Sequence, residues 1–421
     1  MERLPGFRDF YPEPLPDSDS WSMAARRFIF EKWYQNAIKY GFVEYDGPPL
    51  EPLELYTLKS GEEIVAQLYN FTDKGNREVA LRPELTPTLA RMVAAHARNY
   101  KKPLKWFSMP QLFRYERQQK GRLREHFQFN ADIIGEEGVG AEAELIALAI
   151  DILRSFGLTH EDFVVRLSSR AAWHEFFISH GGKPEFEYQF YQAVDKLERE
   201  SEENNRAKFA QLGFTMEQII EFIKEGKPIA GLEAIIENLR ARGLAGYVKI
   251  DYGVIRGLAY YTGMVFEIFD KKGEFRAIAG GGRYDNLIKL ISKGKVDMPA
   301  LGFGMGDVVL CELLKERKLL PSFKPTIDVY VIIEDETLRF ESLKLVQNLR
   351  DAGFSVEYPL SPVKGDKQFK RAIELNCLCT FNLRKDDSGN LIVRAKNLRT
   401  KEEININPSD TVGFAKKVKN G

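Results

Sequence analysis

The chain has 421 residues, 61 Lys and Arg against 61 Asp and Glu, a hydrophobic share of 44% and a charged share of 29%. This length predicts two or three domains and this composition an ordinary globular protein, while zero net charge confines any polyanion site to a local patch. No apolar run approaches the length of a membrane span, MERLPGFRDFYPEP lacks a signal-peptide core, and Cys311, Cys377 and Cys379 form no metal-ligand pattern, so a reduced, cytoplasmic setting is expected.

In chain order, residues 18–40 carry apolar side chains at helical spacing (Trp21, Ala24, Ala25, Phe28, Ile29, Trp33) and end at Gly41, which predicts a helix. GFVEYDGPPLEP then reads as a strand stopped by prolines. VALRPELTPTLARM (79–92) reads as a short strand followed by a helix that starts near Thr86-Pro87. Local chemistry leaves two roles open: Glu84 and Thr86 capping that helix, or Glu84 offering a carboxylate to an ammonium.

The stretch from 103 to 135, PLKWFSMPQLFRYER…REHFQFNADIIG, predicts a hairpin with its loop at 118–123. Phe127, Phe129, Ala131 and Ile133 share one face, and His126, Gln128, Asn130 and Asp132 the other. Arg114 and Glu116 likewise share a face. A solvated polar face is the ordinary outcome for such a hairpin. Against it, residues 101–124 hold eight basic side chains and one acid, Glu116, in a neutral chain, which suggests phosphate.

Residues 141–156 predict a helix, 163–169 a strand, and 171–243 a polar helical insertion. KIDYGVIRGLAYYTGMVFEIFD (249–270) reads as two β-rich runs about a turn that gathers Arg256, Tyr260 and Tyr261, either as packing aromatics or as a site. AGGGRYD (279–285) lets backbone approach a neighbour closely. ALGFGMGDVVLCELL (300–314) is a glycine-rich strand feeding an apolar helix. From 327 onward β and α segments alternate, ending in two paired strands, as in a small α/β domain with a mostly parallel core.

FRYER…GR.RE..QF…D resembles motif 2 of class II aminoacyl-tRNA synthetases, and specifically of the histidyl-tRNA synthetase family. LPGFRDFYP, LRPE-x-T, RGLAYYTG and AGGGRYD resemble further segments of the same family, so the resemblance runs from Leu4 to the last strand. It implies an α+β fold: an antiparallel catalytic sheet flanked by helices in 1–170 and 245–320, a helical insertion in 171–244, and an anticodon-binding-like α/β domain in 325–421. The implied activity joins L-histidine to tRNA(His) through a histidyl-adenylate, with ATP as substrate, Mg²⁺ in attendance, and a homodimer formed around motif 1, where Pro49 matches the motif proline.

Matched residue by residue, the resemblance implies catalytic roles for Arg114 and Arg256, both at the α-phosphate. It implies histidine binding by Glu84, Leu85, Thr86, Gln128, Asp132, Tyr260, Tyr261 and Tyr284, and ATP binding by Arg114, Glu116 and Arg122. It singles out no metal ligand. Three departures stand out. His126-Phe127-Gln128 inverts the family's FHQ, and Ala259 replaces an aspartate. At motif 3 the arginine that binds the ATP γ-phosphate is replaced by Val309, with Val308 before it. An active enzyme then needs another cation, and Arg122, helped by Lys120 or Arg124, is expected to supply it. A catalytically silent paralogue, such as the regulatory subunit of ATP phosphoribosyltransferase, is the alternative that Val309 favours.

Overall fold

A computed structural model describes residues 2–12, 21–58, 65–116, 123–198, 200–226, 229–256, 260–321, 323 and 327–420. The chain divides into two units, Met1–Pro321 and Ser322–Gly421.

The first unit begins with two short parallel strands, β1 (Phe10–Tyr11) and β2 (Trp21–Ser22), followed by α1 (Met23–Lys39). The helix starts later than its apolar periodicity suggests. Ser22 is extended and its hydroxyl accepts from the amides of Ala24 and Ala25 at 3.2 and 3.3 Å, which fixes the first turn there. Residues 18–20 lie outside the described residues. Next come β3 (Val43–Glu44), β4 (Leu50–Pro52), α2 (Leu53–Thr57), β5 (Asn70–Thr72), β6 (Glu78–Leu81) and α3 (Thr86–His96). The strand predicted over 41–52 is thus two short strands in different sheets, β3 beside β7 (Leu104–Ser108) and β4 beside β6. Pro48 and Pro49 lack the amide that a continuous ladder needs, and the Pro49 carbonyl instead accepts the Arg82 amide at 2.9 Å.

After β7 come β8 (Gln111–Phe113), β9 (Glu125–Ile134), α4 (Gly140–Ser155) and β10 (Phe163–Ser169). Helices α5 (Arg170–Ser179), α6 (Glu187–Asp195), α7 (Glu202–Gln211), α8 (Met216–Glu225) and α9 (Ala230–Ala241) follow. The unit closes with β11 (Val248–Ile250), β12 (Met264–Asp270), β13 (Ala279–Arg283), α10 (Leu287–Ile291), β14 (Ala300–Gly306) and α11 (Asp307–Glu316).

The main sheet runs β11-β10-β12-β13-β14-β9-β7-β3, with β8 paired to the start of β9. All its pairings are antiparallel except β10 with β11 and β3 with β7. The two runs about residues 251–263 are not a hairpin: β11 and β12 flank β10 on opposite sides. One face of the sheet is the main core. Phe129, Ala131, Ile133, Phe266, Ile268, Leu301, Phe303 and Met305 are buried there with Ile29 and Trp33 of α1 and the apolar face of α4. Burying each large side chain contributes roughly 1.5–3 kcal/mol, which fixes β9's register, since a one-residue slip would expose the whole set.

The second unit contains β15 (Val329–Ile332), α12 (Arg339–Asp351), β16 (Val356–Glu357), α13 (Gly365–Glu374), β17 (Cys379–Lys385), β18 (Leu391–Asn397), β19 (Glu403–Ile406) and α14 (Thr411–Asn420). Its sheet, β16-β15-β17-β18-β19, is mixed: the first three strands are parallel and the last two antiparallel. The chain does not end on the closing pair of strands. α14 follows, packing Ala415 and Val418 into this unit's own core. The three cysteines are free and buried, and among the described residues no cluster of three or more metal-ligating side chains occurs.

Candidate active site

The face of the main sheet opposite the core is built around four glycines. β14 pairs with β9 so that Gly302 faces Asp132 and Gly304 faces Asn130. β13 continues the same rows with Gly282 and Gly280, and β12 with Val265 and Glu267. Each glycine lies beneath one side chain. A Cβ at Gly302 would sit 1.8 Å from Asp132 Oδ1, and one at Gly304 2.6 Å from the Gln128 amide carbon. At Gly280 it would sit 1.6 Å from Arg256 Nη1, and at Gly282 2.9 Å from the Tyr261 ring. The glycines of AGGGRYD and ALGFGMG therefore make a floor for side chains of this chain, and any larger residue would displace them.

Above the outer part of this floor is a cavity of about 460 Å³. Arg114, Glu116 and Gln128 line it from the β8–β9 side, Arg256 and Glu267 from the β12 side, and Val308 and Val309 from the start of α11. Arg114 donates from Nε to the Pro83 carbonyl at 2.8 Å. Arg82 donates from Nε to the Gln111 carbonyl at 3.0 Å, and the Phe113 amide to the Arg82 carbonyl at 2.9 Å. These bonds tie residues 82–84 along β8. Arg256 sits at φ 56°, a left-handed conformation that strains a side-chain-bearing residue and that recurs at functional sites. It pairs with Glu267 at 3.1 Å and lies 5.6 Å from the Tyr261 ring centroid. Burial opposes its charge, but Tyr261 and Glu267 outweigh that and hold its pKa above the ordinary value.

Behind the arginines lies an enclosed group of acids and phenols. Tyr284 donates to Asp132 Oδ1 at 2.5 Å, and Tyr260 donates to Glu84 Oε2 at 2.7 Å. The Tyr260 ring packs on Tyr261 and Tyr284 with centroids 5.0 and 5.9 Å apart. Burial pushes the Asp132 carboxyl up to about 7 despite the Tyr284 bond, so near neutrality it exchanges between acceptor and donor forms. His126, at the cavity wall, is pushed down to about 3 by burial and by the charges of Arg114 and Arg8, and its imidazole is neutral. Arg8 is held by Glu125 at 2.7 Å and Asp307 at 2.8 Å, and Asp307 also accepts the Phe127 amide at 2.9 Å, which locks the opening segment, β9 and α11 together.

Most residues singled out in the sequence converge here. Arg114, Glu116, Gln128 and Arg256 line the cavity, and Glu84, Asp132, Tyr260, Tyr261 and Tyr284 form the enclosed group beside it. Leu85 is buried and precedes α3, and Thr86 contacts the Tyr260 hydroxyl. The capping role left open for Glu84 and Thr86 is not what the structure shows. Leu85 occupies the cap position, no side chain caps α3, and both polar groups are turned to Tyr260. Arg122, Lys120 and the loop glycine lie outside the described residues, as do 257–259 with Ala259. Arg124 turns elsewhere, its guanidinium 4.1 Å from the Tyr115 ring centroid and its Nε bonded to the Glu116 carbonyl.

Three residues escape sequence reasoning. Glu267 and Arg276 line the cavity, and Tyr45, whose ring packs 5.6 Å from Trp106, has a buried hydroxyl with no hydrogen-bond partner among the described residues. Trp106 is the register partner of Asp132, so Tyr45 packs beside that pair, and the Asp132 charge adds to burial in raising its pKa. The alternation of Glu267 with Phe266 and Ile268 is a signal that could have found it; nothing local marks Tyr45.

The histidyl-tRNA synthetase family model matches residues 17–306. Among curated relatives, the histidine–tRNA ligase of Opitutus terrae is 45% identical, covering 96% of each chain. That of Thermoplasma volcanium is 37% identical over 99% of each. Among solved structures, histidyl-tRNA synthetase from Nostoc sp. PCC 7120 superposes with a TM-score of 0.78 over 99% of both chains at 22% identity, which speaks to fold. With a family model over more than half its length and relatives at this identity along nearly all of it, the chain belongs to the histidyl-tRNA synthetase family.

Proposed function

We propose that this protein activates L-histidine with ATP as histidyl-adenylate and transfers the histidyl group to tRNA(His). The observation that carries the reading is the glycine floor. Over it a buried group of acids and phenols, with acceptors and donors that an imidazole and an ammonium would use, adjoins a cavity lined by arginines. In this reading Asp132, with Tyr284, and Gln128 hold the imidazole, and Glu84, with Thr86, takes the ammonium. Leu85 supplies the apolar wall, and Tyr260 and Tyr261 close the pocket. The histidine carboxylate then points toward Arg114 and Arg256.

The chemistry is an in-line displacement. A carboxylate oxygen bonds to the α-phosphorus, the bond to the bridging oxygen breaks, and pyrophosphate leaves with the electron pair. The carboxylate is already ionised at neutral pH, so no general base is needed. The obstacle is the approach of two anions, and fixed guanidinium groups that stabilise the developing charge lower it by several kcal/mol. Arg114, just after β8, and Arg256, in the segment between β11 and β12, approach from different sides of the cavity, Arg256 held by Glu267 and Arg114 by the Pro83 carbonyl. Mg²⁺ enters with ATP as part of the substrate, and the Glu116 and Glu267 carboxylates line the space the phosphates would occupy. In the second step a terminal tRNA hydroxyl attacks the mixed anhydride and AMP leaves.

The partition of labour belongs to the same proposal. Residues 1–170 and 245–320 carry both chemical steps, the 171–244 insertion contacts the acceptor arm, and 325–421 reads the anticodon. The protein works as a cytoplasmic homodimer. Against a silent paralogue stand the retained Arg114, Arg256, Gln128, Asp132 and Tyr261 and the presence of a full C-terminal unit. Removing residues 322–421 should leave histidine-dependent ATP–pyrophosphate exchange largely intact and cripple tRNA charging. Loss of exchange in a folded truncation would assign that unit to support of the catalytic site.

A further inference from the structure

The wall made by the start of α11 offers a phosphate chain nothing but Val308 and Val309. ATP brings a polyphosphate with several negative charges, of which Arg114 and Arg256 address the reacting end. Arg256 is partly offset by Glu267 at 3.1 Å, and Glu116 adds a second negative charge to the lining. A third cation on the described cavity wall is Arg276. It lies between β12 and β13 and is exposed, as a group at the rim must be to meet an incoming phosphate.

Its backbone is fixed in advance. Asp270, buried, accepts the amides of Glu274 at 3.2 Å and Phe275 at 3.0 Å, and the Ile278 amide donates to the Ile268 carbonyl at 2.7 Å. Phe275 packs against the main core on one side of Arg276, and Ile278 is buried two residues beyond it on the other. The loop is therefore anchored at both ends, and the arginine between those anchors reaches the cavity with little backbone ordering left to pay for. A guanidinium held this way suits a bidentate contact to phosphate oxygens.

We propose that Arg276 binds the β- and γ-phosphates of ATP, the part that leaves as pyrophosphate, and thereby does the work that Val309 is unable to do. The inference rests on the ligase reading above and departs from the expectation that Arg122, helped by Lys120 or Arg124, supplies this cation. Equilibrium ATP binding should weaken about tenfold or more in Arg276→Ala and recover partly in Arg276→Lys. In exchange assays the KM for ATP and for pyrophosphate should rise together. Affinity for histidine, and for a non-hydrolysable histidyl-adenylate analogue, which lacks both phosphates, should stay at the wild-type value. The melting temperature should not move, since the side chain is exposed.

ATP binding indifferent to Arg276→Ala would overturn the proposal, and so would an equal loss of ATP and adenylate-analogue affinity, which would place the contact at the α-phosphate or the nucleoside. The direct binding measurement separates this idea from the ligase reading. If wild-type protein showed no histidine-dependent exchange while its ATP affinity still depended on Arg276, the ligase reading would fall and the phosphate contact would stand.

Discussion

The two faces of the main sheet share strands and register yet obey opposite rules. On the core face Phe129, Phe303, Met305 and Phe266 fill the space against α1 and α4, and almost nothing polar intervenes. On the other face, one residue away along the same strands, β13 and β14 carry glycines, and above them Asn130 and Asp132 are buried and the Arg256–Glu267 pair half-buried. The first face sets the fold's stability. The second accepts buried polar groups, whose desolvation is unfavourable, because a ligand can satisfy them.

Four substitutions sharpen this contrast, taken from the largest expected effect downward. Asp132→Ala should cut kcat/KM for histidine by up to roughly 10⁴-fold, because the imidazole then meets a buried site without its partner. The KM for ATP should change little, and an unaltered histidine KM would remove Asp132 from the pocket. On the core face the pattern should invert. Phe129→Ala should lose about 3–5 kcal/mol of unfolding free energy through the cavity it leaves, read by denaturant titration, while the folded fraction retains its KM values.

Arg256→Ala should lower the rate of adenylate formation by about 10²–10³-fold with much less effect on histidine affinity. A rise in KM alone, with kcat intact, would make Arg256 a binding group. The smallest effect belongs to Tyr45→Phe. Its hydroxyl is buried without a partner among the described residues, and if the bound imidazole or Asp132 provides one, the variant's histidine KM should rise several-fold, in line with the roughly 0.5–1.5 kcal/mol of a single hydrogen bond. Equal KM values would reduce Tyr45 to packing.

A pH dependence follows from Asp132 itself. Its carboxyl titrates near 4 when unfolded and at about 7 in the fold, so between those values the folded state holds a proton that the unfolded state has lost. Folding stability of the ligand-free protein should therefore fall across that window as pH rises and level off above it. Asp132→Asn carries no such proton, so its melting temperature should gain on the wild type from pH ~4 to ~7. A constant difference between the two proteins would contradict the buried, raised acid.

Much of this was legible in the sequence because parity is a strong constraint on a half-buried strand. The alternation in REHFQFNADIIG placed Gln128 and Asp132 on the face away from Phe127 and Phe129, and the β9 register keeps them there. Arg114 and Glu116, two residues apart, reach the same cavity although β8 ends at Phe113. What stayed hidden depends on contacts far apart in the chain. The glycines of β13 and β14 read locally as room for a ligand, whereas their immediate occupants are Asp132, Gln128, Arg256 and Tyr261. The break between β3 and β4, the flanking of β10 by β11 and β12, and the start of α1 at Ser22 are each settled by a partner that no local window contains. Helix α14 was missed because TVGFAKKVKN combines a glycine with few apolar positions, and packing of Ala415 and Val418 decides it.

The most direct test of the whole account is amino-acid-dependent ATP–pyrophosphate exchange by the intact protein, with histidine set against each of the other standard amino acids. The account predicts exchange with histidine alone, retained in a protein whose motif 3 position is Val309. Absence of exchange, or exchange driven by a different amino acid, would contradict it.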